Sequence, residues 1–326
     1  MSGKILITGA SGFVGYHLTE AAVKAGFEVF AAVRRSSVVD QLKGMPVQFV
    51  YIDFSDTESI RAQFAEHQFE YVIHAAGLTR ARSTAEYNEV NAVYSRNLAI
   101  VAQEYGVKKF VFLSSLAALG PVGYQHAGAI DEKHTPAPVT DYGRSKLLAE
   151  QYLWNELPQL PLVILRPTAV YGPREKDIFI MFKTLAGGIE PYIGRVQQKL
   201  SFIYVKDLAN VAIKALAVDT GRAVYNISDG QIYDRYALAD IFKKTMNKRT
   251  FRIHVPLPLV KVIAATLEKF SRSTPALNKE KLNELTAESW DCSIERAKRE
   301  LGFTPAYNLN IGLQETLNWY KENRWL

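Results

Sequence analysis

The segment Thr8-Gly9-Ala10-Ser11-Gly12-Phe13-Val14-Gly15 constrains this chain more than any other. Three glycines at three-residue spacing follow an apolar run at 4–8 and precede a helical period at 13–25. Strand, tight turn and helix in that order make the phosphate end of a βαβ nucleotide-binding unit. Gly9 turns the chain, Gly12 lets the backbone approach a pyrophosphate, and Gly15 lets the helix pack on its strand. The helix N-terminus then offers unpaired N–H groups and a positive dipole end to phosphate. Ser11, Phe13 and Val14 share this turn and join the glycines as candidate cofactor contacts.

The rhythm continues downstream. Apolar runs at 28–33, 47–52, 71–75, 109–114 and 162–166 alternate with helical periods at 59–66, 86–105 and 142–157. Buried parallel strands read as continuous apolar runs. Their alternation with helices predicts an α/β fold, a Rossmann-type doubly wound parallel sheet. Residues 1–166 are expected to form the dinucleotide-binding domain. After Pro167 turn residues are denser, with strands expected at 201–205 and 223–227 and helices at 207–217, 237–246 and 315–325. Residues 167–326 are expected to be mainly a smaller α/β substrate lobe, with some segments returning to the first domain. Pro256-Leu257-Pro258 opens an apolar helix running to Phe270.

Composition narrows the function classes. Hydrophobic content of 48% with 22% charged residues is that of a folded globular chain. A single cysteine, Cys292, excludes an intrachain disulfide and a cysteine-ligated zinc site. No metal is expected, and a reducing, cytoplasmic compartment is. The formal charge of +6 is spread without a block of five like charges, so no nucleic-acid partner is expected. No eighteen-residue apolar run predicts a transmembrane helix, and the first strand is too short for a signal sequence.

The strand ends carry the cofactor reading. NAD-specific sites place an acid at the end of the second strand. Here that place is Val33-Arg34-Arg35, with no acid until Asp40. Arg34 can grip a 2′-phosphate in bidentate fashion, so NADP(H) is expected, with NAD the alternative. Asp53, followed by Phe54, is placed to accept a hydrogen bond from the adenine amine. Ala75, Ala76 and Gly77 leave room for the backbone to lie on the cofactor ribose. His74 beside them reads as structural.

The catalytic reading rests on Tyr142-Gly143-Arg144-Ser145-Lys146, which opens a helix after the fifth strand. Positions four apart share a helical face. A lysine ammonium there favours the phenolate and lowers the tyrosine pKa, which suits Tyr142 to general acid–base work near neutral pH. Lys146 can also hold the nicotinamide ribose. Ser114 and Ser115 end the fifth strand, at the sheet edge where parallel folds bind ligands.

In this order the motifs resemble the extended short-chain dehydrogenase/reductase family, also called the NAD-dependent epimerase/dehydratase family. They are residues 8–15, Asp53, 74–77, Asn91, Ser114-Ser115, 142–146, Leu165-Arg166-Pro167 with Val170-Tyr171-Gly172-Pro173, and 202–209. The resemblance implies a small-molecule substrate and hydride transfer at a secondary alcohol carbon. It implies Ser115, Tyr142 and Lys146 as catalytic residues, Asn91 in support, and cofactor contacts at Pro167 and Val170. It also implies a homodimer through the helices at 86–105 and 142–157.

Within that family, sugar-nucleotide members usually carry an arginine where Leu200 stands, and dehydratases an Asp-Glu pair where Leu116 and Ala117 stand. The C-terminal part is similar to sterol, hydroxysteroid and dihydroflavonol-type reductases. The leading expectation is therefore an NADP(H)-dependent oxidoreductase of a bulky, largely apolar ketone or alcohol. The alternatives are a sugar-nucleotide epimerase or reductase, drawing a cation from Arg195, Lys199 or Arg222, and a non-catalytic NADP(H)-binding protein. Arg80 and Arg82 follow the fourth strand at the expected substrate mouth. The apolar stretch 257–267 has three readings: a pocket wall, a core helix, or a peripheral contact with a membrane surface.

Overall fold

Strand β1 (Lys4–Thr8) has no solvent face: four of its five residues are buried. It leads into α1 (Phe13–Lys24), β2 (Glu28–Ala32), β3 (Val47–Val50), α2 (Thr57–His67), β4 (Tyr71–His74), α3 (Thr84–Asn88), α4 (Tyr94–Glu104), β5 (Lys109–Leu113), α5 (Asp141–Glu156) and β6 (Leu162–Pro167). Then come β7 (Ala169–Tyr171), α6 (Asp177–Ala186), β8 (Ile189–Ile193), β9 (Phe202–Tyr204), α7 (Val205–Ala217), β10 (Ala223–Ile227), α8 (Ala237–Met246) and β11 (Phe251–Val255). The chain ends with α9 (Leu257–Phe270), α10 (Lys279–Leu285), α11 (Glu295–Leu301) and α12 (Leu309–Glu322). The computed structural model describes residues 2–270 and 279–326, and the side chains of 2–266 and 281–326.

Seven strands form one sheet in the order β10-β6-β5-β4-β1-β2-β3. Every neighbouring pair is parallel. This is the doubly wound order, with β10 added at one edge. Strand alternation sorts the core into two layers. Ile5, Ile7, Val29, Ala31, Val111 and Val163 pack with α1, α7 and α11. Leu6, Phe30, Val72, Phe110, Phe112 and Ile164 pack with α2, α4 and α5. Thus α7, β10 and α11, all from the second half of the chain, complete the first layer and the sheet.

The smaller lobe holds two parallel two-stranded pairs, β7 with β9 and β8 with β11. Its core is aromatic, built on Tyr171, Phe182, Phe202, Tyr204, Phe242 and Tyr320. Among the described residues no helix is long and apolar enough to cross a membrane.

Several expected boundaries move. β3 stops at Val50, where its pairing with Ala32 of β2 ends, and Tyr51 beyond it is exposed. The helix expected at 86–105 is α3, a π turn over Glu89–Val93, and α4. The helix expected at 315–325 is α12, starting at Leu309 because the Asn308 side chain caps Ile311 N at 3.0 Å. Strands β7, β8 and β11 and helices α6, α10 and α11 add to the expected elements.

Gly15 sits where α1 crosses β1. A Cβ on it would collide with the backbone carbonyl of Gly9, which no rotamer change relieves. Gly15→Ala is expected to destabilise the fold by about 1–3 kcal/mol, as overpacking does. The check is a lower urea midpoint with an unchanged m value.

Candidate active site

Beyond the carboxyl ends of β1 and β4 the chain leaves the sheet in opposite directions. After β1 it enters α1 on one layer, and after β4 it reaches α4 on the other. A cleft of about 680 Å³ opens there, as expected where a doubly wound sheet reverses. Gly9, Ser11, Gly12, Phe13, Val14 and Gly15 form one wall, with Ala75 and Gly77 beside them. Ser114, Ser115, Tyr142, Lys146, Pro167 and Val170 are among the other lining residues.

The wall fits a dinucleotide diphosphate. α1 begins at Gly12 with no side-chain cap, so its first N–H groups are left for a ligand. Arg174 adds a cation. It lies 4.2 Å over the Tyr16 ring and donates to Gln41 Oε1 at 3.1 Å, while Gln41 Nε2 donates to the Ser11 carbonyl at 2.7 Å. Arg174 holds this place with φ +76°, a left-handed backbone.

A chain of hydrogen bonds ties the two diverging strand ends. Thr8 Oγ1 accepts from the backbone N–H of Ala75 at 3.2 Å and of Ala76 at 3.0 Å. Its own proton therefore goes to His74 Nδ1, 2.6 Å away. His74 Nε2 lies 2.8 Å from Ser95 Oγ, which donates to the Asn91 carbonyl at 2.7 Å. The network assigns the proton to Nε2 and the neutral ring to His74. Burial, followed by the charge of Lys146, pulls its pKa down to about 3.

The two serines separate. Ser114 is buried and donates to Glu150, whose carboxylate is gripped by Arg166 through Nε at 3.0 Å and through Nη2. Ser115 is half-buried and lines the cleft together with Tyr142, its Oγ accepting from Ala117 N at 3.1 Å. Gly143 permits that meeting, since a Cβ there would collide with the Ala117 carbonyl. Thr140 caps α5 by accepting from Gly143 N at 3.0 Å. Lys146, one turn along, is buried and donates to the Leu113 carbonyl at 2.9 Å.

Asn91 sits on the π turn and spends its whole amide on the site. It accepts from Leu78 N at 2.7 Å and donates to Leu78 O and to Ser145 Oγ, each at 2.9 Å.

One expectation is corrected. The Tyr142 pKa is raised rather than lowered in this arrangement. Burial pushes the phenol up to about 12, with the neighbouring Ser115 hydroxyl opposing. Burial likewise brings Lys146 down to about 8, with Glu150 opposing.

Four predicted cofactor residues lie outside the cleft lining: Arg34, Asp53, Phe54 and Ala76. Arg34 is exposed, in a turn closed by Ser37 N donating to its carbonyl at 2.9 Å. Asp53 is exposed, and hydrogen bonds from Ser55 hold its carboxyl below the usual range. The Phe54 carbonyl anchors Asn97 Nδ2 at 3.0 Å. Arg80 pairs with Asp177 across the mouth of the cleft. Arg222 donates to Leu153 O and Trp154 O, at the far end of α5 from Tyr142. Leu200 packs against the aromatic core and exchanges backbone hydrogen bonds with Tyr233. Sequence reasoning passed over Gln41, Arg174 and Trp325, which also line the cleft. Arg174 directly follows the quoted Val170–Pro173 motif and was within reach of it. Gln41 and Trp325 carry no local signal.

The NAD dependent epimerase/dehydratase family matches residues 5–228. Among curated relatives, an N-acetyl-alpha-D-glucosaminyl-diphospho-ditrans,octacis-undecaprenol 4-epimerase of Escherichia coli O157:H7 is 28% identical over 335 residues, covering 98% of this chain and 96% of that one. Sterol demethylase protein B of Methylococcus capsulatus is 29% identical over 333 residues, covering 97% and 98%. Among solved structures, UDP-glucose 4-epimerase of Thermotoga maritima with UDP-glucose matches with a TM-score of 0.82 at 24% identity, covering 98% and 99%. That last likeness is one of fold.

Arg166 and Glu150 are both buried, so removing one leaves the other's charge stranded. Arg166→Met is expected to cost about 3–5 kcal/mol in urea unfolding. The double change Glu150→Leu with Arg166→Met recovers most of that loss.

Proposed function

The chain belongs to the NAD dependent epimerase/dehydratase family, and from that footing we propose that it is a sugar epimerase whose substrate is a glycosyl diphosphate carried on a lipid. It is an oxidoreductase of the extended short-chain dehydrogenase/reductase type. The weight moves from the reductase of an apolar ketone to the sugar epimerase, since named epimerases match this chain along its length.

The observation that carries the reading is that Ser115, Tyr142 and Lys146 line one cleft together, with Lys146 one turn behind Tyr142. Leu200 and the undecaprenol-linked relative favour a lipid over a nucleotide on the diphosphate. The likeness to sterol demethylase protein B keeps a second reading, oxidation of a lipid alcohol or reduction of the matching ketone at the same three residues.

Ser11, Gly12, Phe13 and Val14 would hold the pyrophosphate of a nicotinamide dinucleotide on the α1 N-terminus, with Arg174 neutralising it. Ala75, Gly77, Pro167, Val170 and Lys146 would line its nicotinamide half. When bound, a nicotinamide dinucleotide would supply acceptance of a hydride from the substrate carbinol carbon and its return to the opposite face of the resulting carbonyl. Ser115 holds the substrate oxygen. Tyr142 removes the hydroxyl proton as the C–O bond becomes a carbonyl and returns it on reduction. At neutral pH the raised phenol is protonated, ready to donate to a ketone, and alcohol oxidation gains as pH rises toward its pKa. The loop between Ser115 and Tyr142 is pinned by Val122 and Ile130 to residues 289–292, which closes the substrate side.

Among the described residues the Arg34 backbone N–H donates to Ser37 Oγ while its guanidinium has no hydrogen-bond or ion-pair partner, and we take it as the reader of a 2′-phosphate, which makes NADP(H) the preferred cofactor. A homodimer through α4, the π turn before it and α5 fits the exposure of Val93 and Trp154. The buried thiol of Cys292 fits a cytoplasmic setting.

The test offers N-acetylglucosaminyl-diphospho-polyprenol, deuterated at the ring carbon to be inverted, to the purified protein. An inverted product that keeps its deuterium without net NAD(P)H consumption supports an epimerase. Net consumption with a lipid ketone, and none of the inverted sugar, moves the second reading to first place. Tyr142→Phe is expected to lower kcat by about 100-fold or more while the cofactor Kd stays put. Arg34→Ala is expected to weaken NADPH by about tenfold, one charge-assisted contact, and leave NADH unchanged in fluorescence titrations.

A further inference from the structure

The β8–β11 pair has two unlike faces. Its parallel register sets Phe251 beside Ile189, Ile253 beside Pro191 and Val255 beside Ile193, so these side chains share one face. On the opposite face Glu190, the only carboxylate of the two strands, is buried and held by Lys243, Thr250 and Arg252. Among the described residues the apolar face is covered at one end alone. Val255 and Ile193 pack beneath Val260 and Ala264 of α9, which leaves Phe251 73% and Ile189 46% exposed. α9 continues the surface outward. Leu259, Val262 and Ile263 form a stripe at helical spacing, with Val262 63% exposed. Exposed apolar side chains grouped in this way mark an interaction site rather than ordinary surface.

Charge identifies the occupant. Lys183, at the end of α6, and Lys248 and Arg249, just before β11, stand at the open end of the sheet, and Lys261 sits within the α9 stripe. All four are exposed, and none has an ion-pair partner among the described residues. Residues 257–266 contain no acid. Two copies of this face would set like charges against each other. A sheet of anionic headgroups over hydrocarbon satisfies both the cations and the apolar stripe.

We propose that α9 and the outer face of β8 and β11 dock this protein on an anionic phospholipid bilayer. α9 packs through Val260 and Ala264 on Leu282 of α10. Asn283 of α10 reaches the carbonyl of Val139, three residues before Tyr142. The docked surface is thus one helix away from the substrate side of the cleft, and a lipid-borne substrate meets Tyr142 without leaving the membrane. The docking deepens the function proposed above and borrows from it only the substrate, so vesicle binding measured without substrate can fail or succeed independently of that reading.

The experiment is flotation of the purified full chain with vesicles of phosphatidylcholine mixed with phosphatidylglycerol, and with phosphatidylcholine alone. Binding to the mixed vesicles that salt weakens, and little to the neutral ones, is expected. Lys248→Glu with Arg249→Glu should weaken binding by about tenfold or more. Phe251→Ser with Val262→Ser should do the same, and both doubles should keep wild-type unfolding midpoints and NADPH binding. The proposal is overturned if the wild-type chain stays free of both vesicle types, or if the apolar double variant binds them as tightly. It is overturned in favour of a second copy if no vesicle binds and Phe251→Ser with Val262→Ser converts a dimer to a monomer in sedimentation.

Discussion

Two strand ends that part company are held together by one hydroxyl. β1 and β4 lie side by side, with Thr8 opposite His74, yet their chains leave toward opposite layers of the sheet. Such a fork exposes backbone N–H groups that helices cannot satisfy. Thr8 takes two of them, those of Ala75 and Ala76, and fixes the imidazole behind. Through Ser95 and the Asn91 carbonyl the same chain reaches the helix that backs the catalytic end. The cleft, the glycine turn and the placement of Asn91 all hang from this stitch. It works only with a neutral His74, and burial keeps it so.

The catalytic end trades stability for readiness. Lys146 has a pKa of about 8 against an ordinary 10.5. The folded chain therefore gives up its proton before the unfolded chain does. Stability contributed at this position rises with pH across that window and is lowest below it, where a buried charge must be tolerated. Beneath it the Glu150–Arg166 pair brings two more buried charges, which cancel only while both are present. Their return is geometric: they hold Ser114 inward, and the next residue, Ser115, faces the cleft.

The main sheet was legible because burial on both faces makes each strand a plain apolar run, as in Ile5-Leu6-Ile7 and Phe110-Val111-Phe112. The glycine turn and the Tyr142–Lys146 spacing were legible because backbone approach and helix pitch dictate them. The small strands were not. β8 contains Pro191 and β11 alternates Phe251, Ile253 and Val255 with Arg252 and His254, so neither reads as a buried run. Distances across the fold were also hidden. Arg166 meets Glu150 and Arg174 meets Gln41 only because the sheet folds them together. Burial has no local spelling either, and for Tyr142 it pushes the phenol up.

The π turn at Glu89–Val93 has a meaning beyond its hydrogen bonds. A helix advances about 100° per residue, so one surplus residue sets everything after it out of phase with everything before by that angle. Asn91 can then face Leu78 and Ser145 while Ser95, only four positions on, serves His74. Helical periodicity drawn through this stretch merges two phases into one face. In this region length is orientation. A descendant of this chain one residue shorter here would have a rotated α4 and, with it, a different floor under the active site, rather than a slightly shorter helix.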